Sequence, residues 1–474
     1  MRFAIRELEP GLQRRLGRNV ACWSVFFIVT LVLAAAGSPS VVAQQAPTTP
    51  QAPTAASRNA ANQGTASQPA AGQDTSRQQA YSLPPDKLAK SIALSRIRNI
   101  LNIVGSLWQI VFIWLLLASR FAARLEVEIK RIASHRWAQG IFFFAAFFII
   151  LWLSGLPLSI YGHYVERNYQ ISIESWPDWF TDDAKELGFS IAVSTPLLLL
   201  FNWIARRWPR RYWLGAWVIT LPILVIVFFV EPLVEPLFEK YEPLQAHNAV
   251  LVADLEKVVA RTGTEIPPSR MYLMKASLKT NGLNAYVTGI GATKRIVVWD
   301  TTAGRIPNDE IQFIFAHECG HYVLNHVPKG IVLTAVSFFF IYWFCARFAA
   351  WMVVRRGERW GAADLGSRTG FLVLIFAITI VGFLLEPIDN GVSRYFEHQA
   401  DVFGQEAVHG IVPDPQKTAV AAFNDLGKAW LDDPNPSPLI EFWLYSHPST
   451  QQRAEFAEHY DPWTNGGHGQ FFGK

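Results

Sequence analysis

Cysteine is scarce in this chain. There are three in 474 residues, at Cys22, Cys319 and Cys345, and two of them lie in apolar runs. That excludes a disulfide framework. Charge is scarce too: charged residues make up 17% of the chain, against about a quarter in soluble globular domains. A simple soluble enzyme therefore fits poorly. The net charge of +4 is small and its basic residues are scattered, which gives no footprint for nucleic acid. Apolar surface is what the chain has in excess. Hydrophobic residues reach 51%, with 33 Phe and 18 Trp, which rules out a disordered or collagen-like protein.

Seven apolar runs stand out, near 21–43, 100–118, 139–161, 187–204, 213–232, 331–353 and 369–388. Most reach the roughly 20 residues that a helix needs to cross a bilayer. Lipid cannot satisfy free backbone groups, so spans must be helical. The fold expected is mainly α, a polytopic membrane protein with about seven transmembrane helices. The first run has two readings. Arg14, Arg15 and Arg18 precede it and small residues end at Ala43, so residues 1–43 read as a signal peptide or as an uncleaved first helix. Residues 44–80 are rich in Ala, Gln, Pro and Ser and read as a disordered linker. Residues 81–232 form an N-terminal transmembrane domain, and 233–474 a second domain holding the last two spans.

Topology follows from the basic residues, which favour the cytoplasmic side. They concentrate in the N-terminal tail and in loops 119–138, 206–211 and 355–368, which all fall on one side. The pieces 233–330 and 389–474 are then placed outside the cytoplasm.

The chemistry lies in Phe313-Ile314-Phe315-Ala316-His317-Glu318-Cys319-Gly320-His321. Pro307-Asn308-Asp309-Glu310 before it offers capping oxygens and acidic first-turn residues. His317 and His321 are four apart and share one helix face. Glu318 sits beside them, which makes the HExxH signature of zinc proteases. Cys319 lies about 200° round the helix from His317 and reads as a small buried residue.

Catalytic zinc needs a third protein ligand. After the last apolar run, Asn390, Arg394, Glu397 and Asp401 fall on one helix face. Four polar side chains beside a membrane are costly without partners. Glu397 is the expected ligand, and Asp401 would orient a ligand histidine through its second nitrogen. His398 is the competing ligand, pointing about 100° away. Ser446-His447-Pro448, with Arg453 beyond it, reads either as a turn or as part of the site.

With these motifs in place, the chain resembles the type I CAAX prenyl proteases, integral-membrane zinc metalloproteases with bacterial members. The resemblance runs from about Leu83 to Arg453. It rests on Glu235-Pro236-Leu237-Phe238, Asn284-Ala285-Tyr286, Lys294-Arg295-Ile296-Val297-Val298, the HExxH, the Asn-x-x-Ser-Arg-x-x-Glu-x-x-Ala-Asp run, and Ser446-His447-Pro448 with Arg453. Two spans between HExxH and the Glu397 helix make it specific. It implies one Zn2+ per chain held by His317, His321 and Glu397, with Glu318 as catalytic base. It implies that His447 helps stabilise the oxyanion and that Asn390 and Arg394 contact substrate or the frame of the site. Residues Asn284, Ala285 and Tyr286 would belong to an edge strand that binds the substrate backbone. The residues themselves agree that Arg295–Trp299 is a strand, with a turn at Gly289 and Gly291; a short core hairpin is the plainer reading. The resemblance also implies that the spans enclose a chamber beside a small zincin-like domain.

The sequence thus reads as a membrane-embedded zinc endopeptidase in a bacterial inner membrane, its active site on the periplasmic side. Its partners would be a peptide or protein substrate, prenylated or hydrophobic, and the lipid bilayer, with no nucleic acid. The alternatives are a non-catalytic zinc-binding scaffold or chaperone and an intramembrane-cleaving protease. The latter class places its HExxH inside a span, whereas this one precedes a span.

Overall fold

The computed structural model describes residues 80–472, apart from 290 and 465. The first expected span and the linker up to residue 79 lie outside the described residues. In chain order the first half holds α1 (Pro85–Ala118), the amphipathic α2 (Phe121–Ile132), α3 (Arg136–Asn168), α4 (Trp176–Arg207) and α5 (Tyr212–Val234). The second half holds β1 (Tyr241–Pro243), α6 (Ala249–Thr262), β2 (Met271–Met274), β3 (Ala285–Thr288), β4 (Arg295–Trp299) and α7 (Asn308–Val323). Two long helices follow, α8 (His326–Trp360) and α9 (Arg368–Val408), then α10 (Pro415–Trp430), α11 (Pro438–Leu444) and α12 (Thr450–His459).

Among the described residues five helices, α1, α3, α4, α8 and α9, are long and apolar enough to cross a membrane. A shorter apolar stretch, Tyr212–Val227, opens α5. The expected count of seven is therefore five spans and one shorter apolar helix here. The helices also outrun their apolar runs. α1 begins at Pro85, well before residue 100, because its polar turns find partners. Arg98 makes a two-pronged pair with Glu166 of α3 at 3.0 and 3.1 Å and donates to the Trp430 carbonyl. A charge so paired can sit where an apolar scan sees the span end.

α9 is central to the bundle. Two-thirds of its apolar window is buried (67%), against 28–39% for the other four spans. The others turn Trp114, Phe142 and Trp351 outward, as lipid-facing surfaces should. Pro387 lies inside α9 without ending it, so the last span and the polar run after it form one 41-residue helix. The basic loops meet at one end of the bundle. Arg120 donates to the carbonyls of Glu358 and Arg359, Asn202 to that of Gly366, and Arg368 to that of Arg136. The second half packs at the other end, where the Ile173 amide donates to the Lys279 carbonyl.

The expected hairpin is present: β3 and β4 pair antiparallel, with Tyr286 opposite Val297. It belongs to a four-stranded sheet of order β1-β2-β4-β3. β1 and β2 are absent from the sequence reading because three or four residues without alternation carry little strand signal. β3 is an edge strand, and its outer side faces α7, whose Tyr322 hydroxyl donates to the Val287 carbonyl at 3.3 Å. One expectation at α7 needs correcting. Asn308 is already helical, the cap residue is Pro307, and no side chain caps the turn. The Asn308 amide instead donates to Asp254 of α6 at 2.9 Å, tying α7 to its neighbour.

Candidate metal centre

α7 and α9 cross at unusually close range, and two glycines permit it. A Cβ at Gly404 would sit 2.9 Å from the backbone nitrogen of His317, and one at Gly320 would sit 3.0 Å from the Phe403 ring. Any larger residue would push the helices apart. Glu397, Asp401 and Gly404 follow one another at helical spacing on the same face of α9, so the close approach at Gly404 also delivers both carboxylates to His317.

Three buried side chains converge there. The Nε2 atoms of His317 and His321 are 3.2 Å apart. Glu397 brings Oε2 to 3.4 Å from the first and Oε1 to 3.8 Å from the second. Two donors about 2.05 Å from a tetrahedral zinc stand about 3.3 Å apart, so this spacing fits such an ion. The ring nitrogens turned away from the cluster are both occupied. His317 Nδ1 is 2.8 Å from Asp401, and Arg453 grips both Asp401 oxygens at 2.5 and 2.9 Å. His321 Nδ1 is 3.1 Å from Nδ1 of His326, whose other nitrogen meets Gln399 at 3.1 Å. His326 is itself stacked on Phe396 with ring centres 4.4 Å apart. Rings held this way keep Nε2 directed at the shared point.

The titratable groups of the cluster act on one another. Glu318, Glu397 and Asp401 bring three carboxyl groups beside His317 and Arg453. Burial would hold the His317 pKa down, yet its hydrogen bonds to Asp401 and Glu397 carry it up to about 9. His321 is pushed well below its usual value by burial. Burial raises the Glu318 carboxyl to about 8, against the pull of the positive His317. The Val287 backbone amide of β3 hydrogen-bonds Glu318, while one Glu318 oxygen is buried with no hydrogen-bond partner, leaving an acceptor for a proton.

His447 closes the cluster from the side. Its Nε2 is 3.1 Å from Glu397, its Nδ1 is 2.9 Å from Ser446 Oγ, and its side chain is 35% exposed. Asn390 and Arg394 hold the segment that carries it. Asn390 donates to the Trp443 carbonyl, and Arg394 donates to those of Glu441 and Tyr445. Of the expected strand residues, Asn284 and Ala285 sit at the start of β3. The Tyr286 side chain is buried, its hydroxyl 2.9 Å from Glu235, which also pairs with Arg295. His398 stands apart from the cluster, its ring against Phe456 at 4.6 Å. Cys319 is fully buried beside Thr264.

The sequence alone marks neither His326 nor Gln399 as a candidate, and it gives Arg453 no role of its own. His326 lies five residues after His321, across a break at Asn325 whose φ is 57°. Helical spacing cannot carry a prediction through such a turn. The signal that remained was a third histidine close behind an HExxH.

Residues 245–461 of the chain match Peptidase family M48, and residues 71–240 match the CAAX prenyl protease N-terminal region with five membrane helices. It is 32% identical over 400 residues to the uncharacterized metalloprotease YhfN of Bacillus subtilis, covering 82% of this chain and 90% of that protein. It is 26% identical to CAAX prenyl protease 1 of Saccharomyces cerevisiae, over 72% of this chain and 76% of that one. The crystal structure of S. mikatae Ste24p shares the fold, with a TM-score of 0.66 at 24% identity, covering 79% and 90% of the two chains. The chain therefore belongs to peptidase family M48 and is a multi-pass membrane metalloendopeptidase of the CAAX prenyl protease type.

Proposed function

We propose that His317, His321 and Glu397 hold a single zinc ion, with Glu318 as the general base, and that the chain cuts peptides presented at the periplasmic face of a bacterial inner membrane. The observation that carries the metal assignment is the triad itself: three buried ligand atoms within 4.8 Å of one another. Zinc held there supplies Lewis-acid charge, which acidifies water and polarises a carbonyl. Glu318, made more basic by burial, takes the proton of the attacking water and returns it to the leaving amine. Asp401 and Arg453 fix the His317 ring, and His326 fixes that of His321. His447, on the accessible side, donates toward the oxygen that gains charge at the scissile carbonyl. The edge of β3 offers backbone groups to an extended substrate, and the Val287 amide ties that edge to the base. Asn390 and Arg394 act through the segment that bears His447.

Sidedness rests on the gathering of the basic loops at the end of the bundle opposite the metal centre. The substrate is a peptide or protein reached at the membrane, and a prenyl group is its candidate apolar feature. The test is mass spectrometry of products from two matched peptides, one farnesylated on its cysteine. Cleavage by wild type and not by Glu318→Gln, with zinc retained in both, is the expected result. Full activity of Glu318→Gln would overturn the mechanism. Equal cutting of both peptides would remove the prenyl group from the specificity.

A further inference from the structure

At the opposite end of the bundle the basic loops enclose a cavity of about 720 Å3. Four cations line it, Lys130, Arg136, Arg206 and Arg368, together with two acids, Glu126 and Asp364. Arg368 lies behind them at 5% exposure. It donates to the Arg136 carbonyl and to Gln139, and stands 3.6 Å from Glu126. Both acids are spoken for. Glu126 pairs with Lys130 at 3.0 Å and accepts from the Thr369 amide and hydroxyl. Asp364 accepts from the amides of Gly366 and Ser367 at 2.7 and 2.8 Å. Among the described residues neither the Arg136 nor the Arg206 guanidinium has an acidic partner, and both are exposed. Arg206 is nonetheless held in place. Its stem packs on Gly366, where a Cβ would meet Arg206 Cγ at 2.8 Å.

One wall of the cavity is apolar. Ala350, Val353 and Val354 of α8 form it. Val354 is 87% exposed, and Trp351 beside it is 53% exposed on a membrane-spanning helix. Guanidiniums without counter-ions next to an outward-facing apolar helix are what a ligand with an anionic head and apolar tails would match. We propose that this cavity binds the phosphate headgroup of an anionic phospholipid, with the acyl chains along α8. Arg136 and Arg206 contact the phosphate, while Arg368 and Glu126 form the fixed floor. A free phosphate ion would meet the same guanidiniums but would leave the apolar wall uncovered. Along α9 the cavity is 29 residues from Glu397, about 43 Å at 1.5 Å each. It is therefore separate from the metal centre.

The test is native mass spectrometry of the full chain in detergent. Phosphatidylglycerol, phosphatidylcholine with the same chains, and inorganic phosphate are each titrated. Wild type should retain phosphatidylglycerol in preference to phosphatidylcholine. The double variant Arg136→Gln/Arg206→Gln should bind it about 30-fold more weakly, with peptide cleavage unchanged as the check on folding. Arg136→Lys/Arg206→Lys should keep most of the binding. Equal retention of the two lipids by wild type would overturn the proposal whatever the variants do. So would unchanged binding in a folded glutamine pair, or displacement of the lipid by equimolar inorganic phosphate.

Discussion

At its C-terminal end α9 carries Glu397 and Asp401 into a buried cluster with His317, His321, Glu318 and Arg453. At its N-terminal end the same helix carries Arg368 into a cluster where four cations meet two carboxylates. The first end gathers ligand atoms around one shared point, and the second gathers cations of which two lack an acidic partner among the described residues. Buried or half-buried charge persists only when something answers it. A buried convergence of ligand atoms marks a place for a cation, and guanidiniums without acids mark a place for an anion.

The largest effects are expected at the metal end. Glu397→Ala should lose stoichiometric zinc by elemental analysis, and with it cleavage, by at least about 1,000-fold. Glu318→Gln should keep the metal and lose about 100- to 10,000-fold in turnover, which separates holding the ion from moving the proton. Asp401→Asn acts through His317, and competition against a chelator should show about 10- to 100-fold weaker zinc binding. At the other end Arg368→Leu should leave cleavage chemistry intact and lower stability by about 3 kcal/mol in thermal unfolding, since Glu126 keeps only Lys130 as a cation. An effect on zinc affinity there would mean that the two ends are not independent.

Glu310 supplies the control: a buried acid in neither cluster. Burial raises its pKa to about 7, helped by Asp425 and Asp309. A carboxyl whose folded pKa lies above its unfolded value binds more protons when folded. Its stabilising contribution is therefore present below about pH 4.5 and is lost as pH rises through 7. Glu310→Gln should stabilise the protein by about 1 kcal/mol at pH 8 and by little at pH 5, read from unfolding midpoints at the two values.

Much of the site was legible because its parts are local. His317, Glu318 and His321 declare themselves by spacing alone, and Glu397 and Asp401 by a polar face where a membrane edge should be apolar. What stayed hidden depends on how elements meet. His326 reaches His321 only because the chain turns at Asn325. The closeness of α7 and α9 rests on Gly320 and Gly404, and no periodicity marks a glycine as a contact. The spans read too short, as in α1, because the pairing of Arg98 with Glu166 is a tertiary fact. Two strands were missed because they are shorter than any pattern that could reveal them.

The continuity of α9 through Pro387 makes the helix a ruler. From Arg368 at one membrane face, a hydrocarbon layer about 30 Å thick takes up about 20 residues, to the neighbourhood of Ile388. Glu397 lies nine residues further on, about 13 Å beyond the apolar layer. A substrate strand at about 3.4 Å per residue covers that height in about four residues. An anchored substrate should accordingly be cut at a fixed count from its anchor. Moving the anchor by one residue should move the cut site by one.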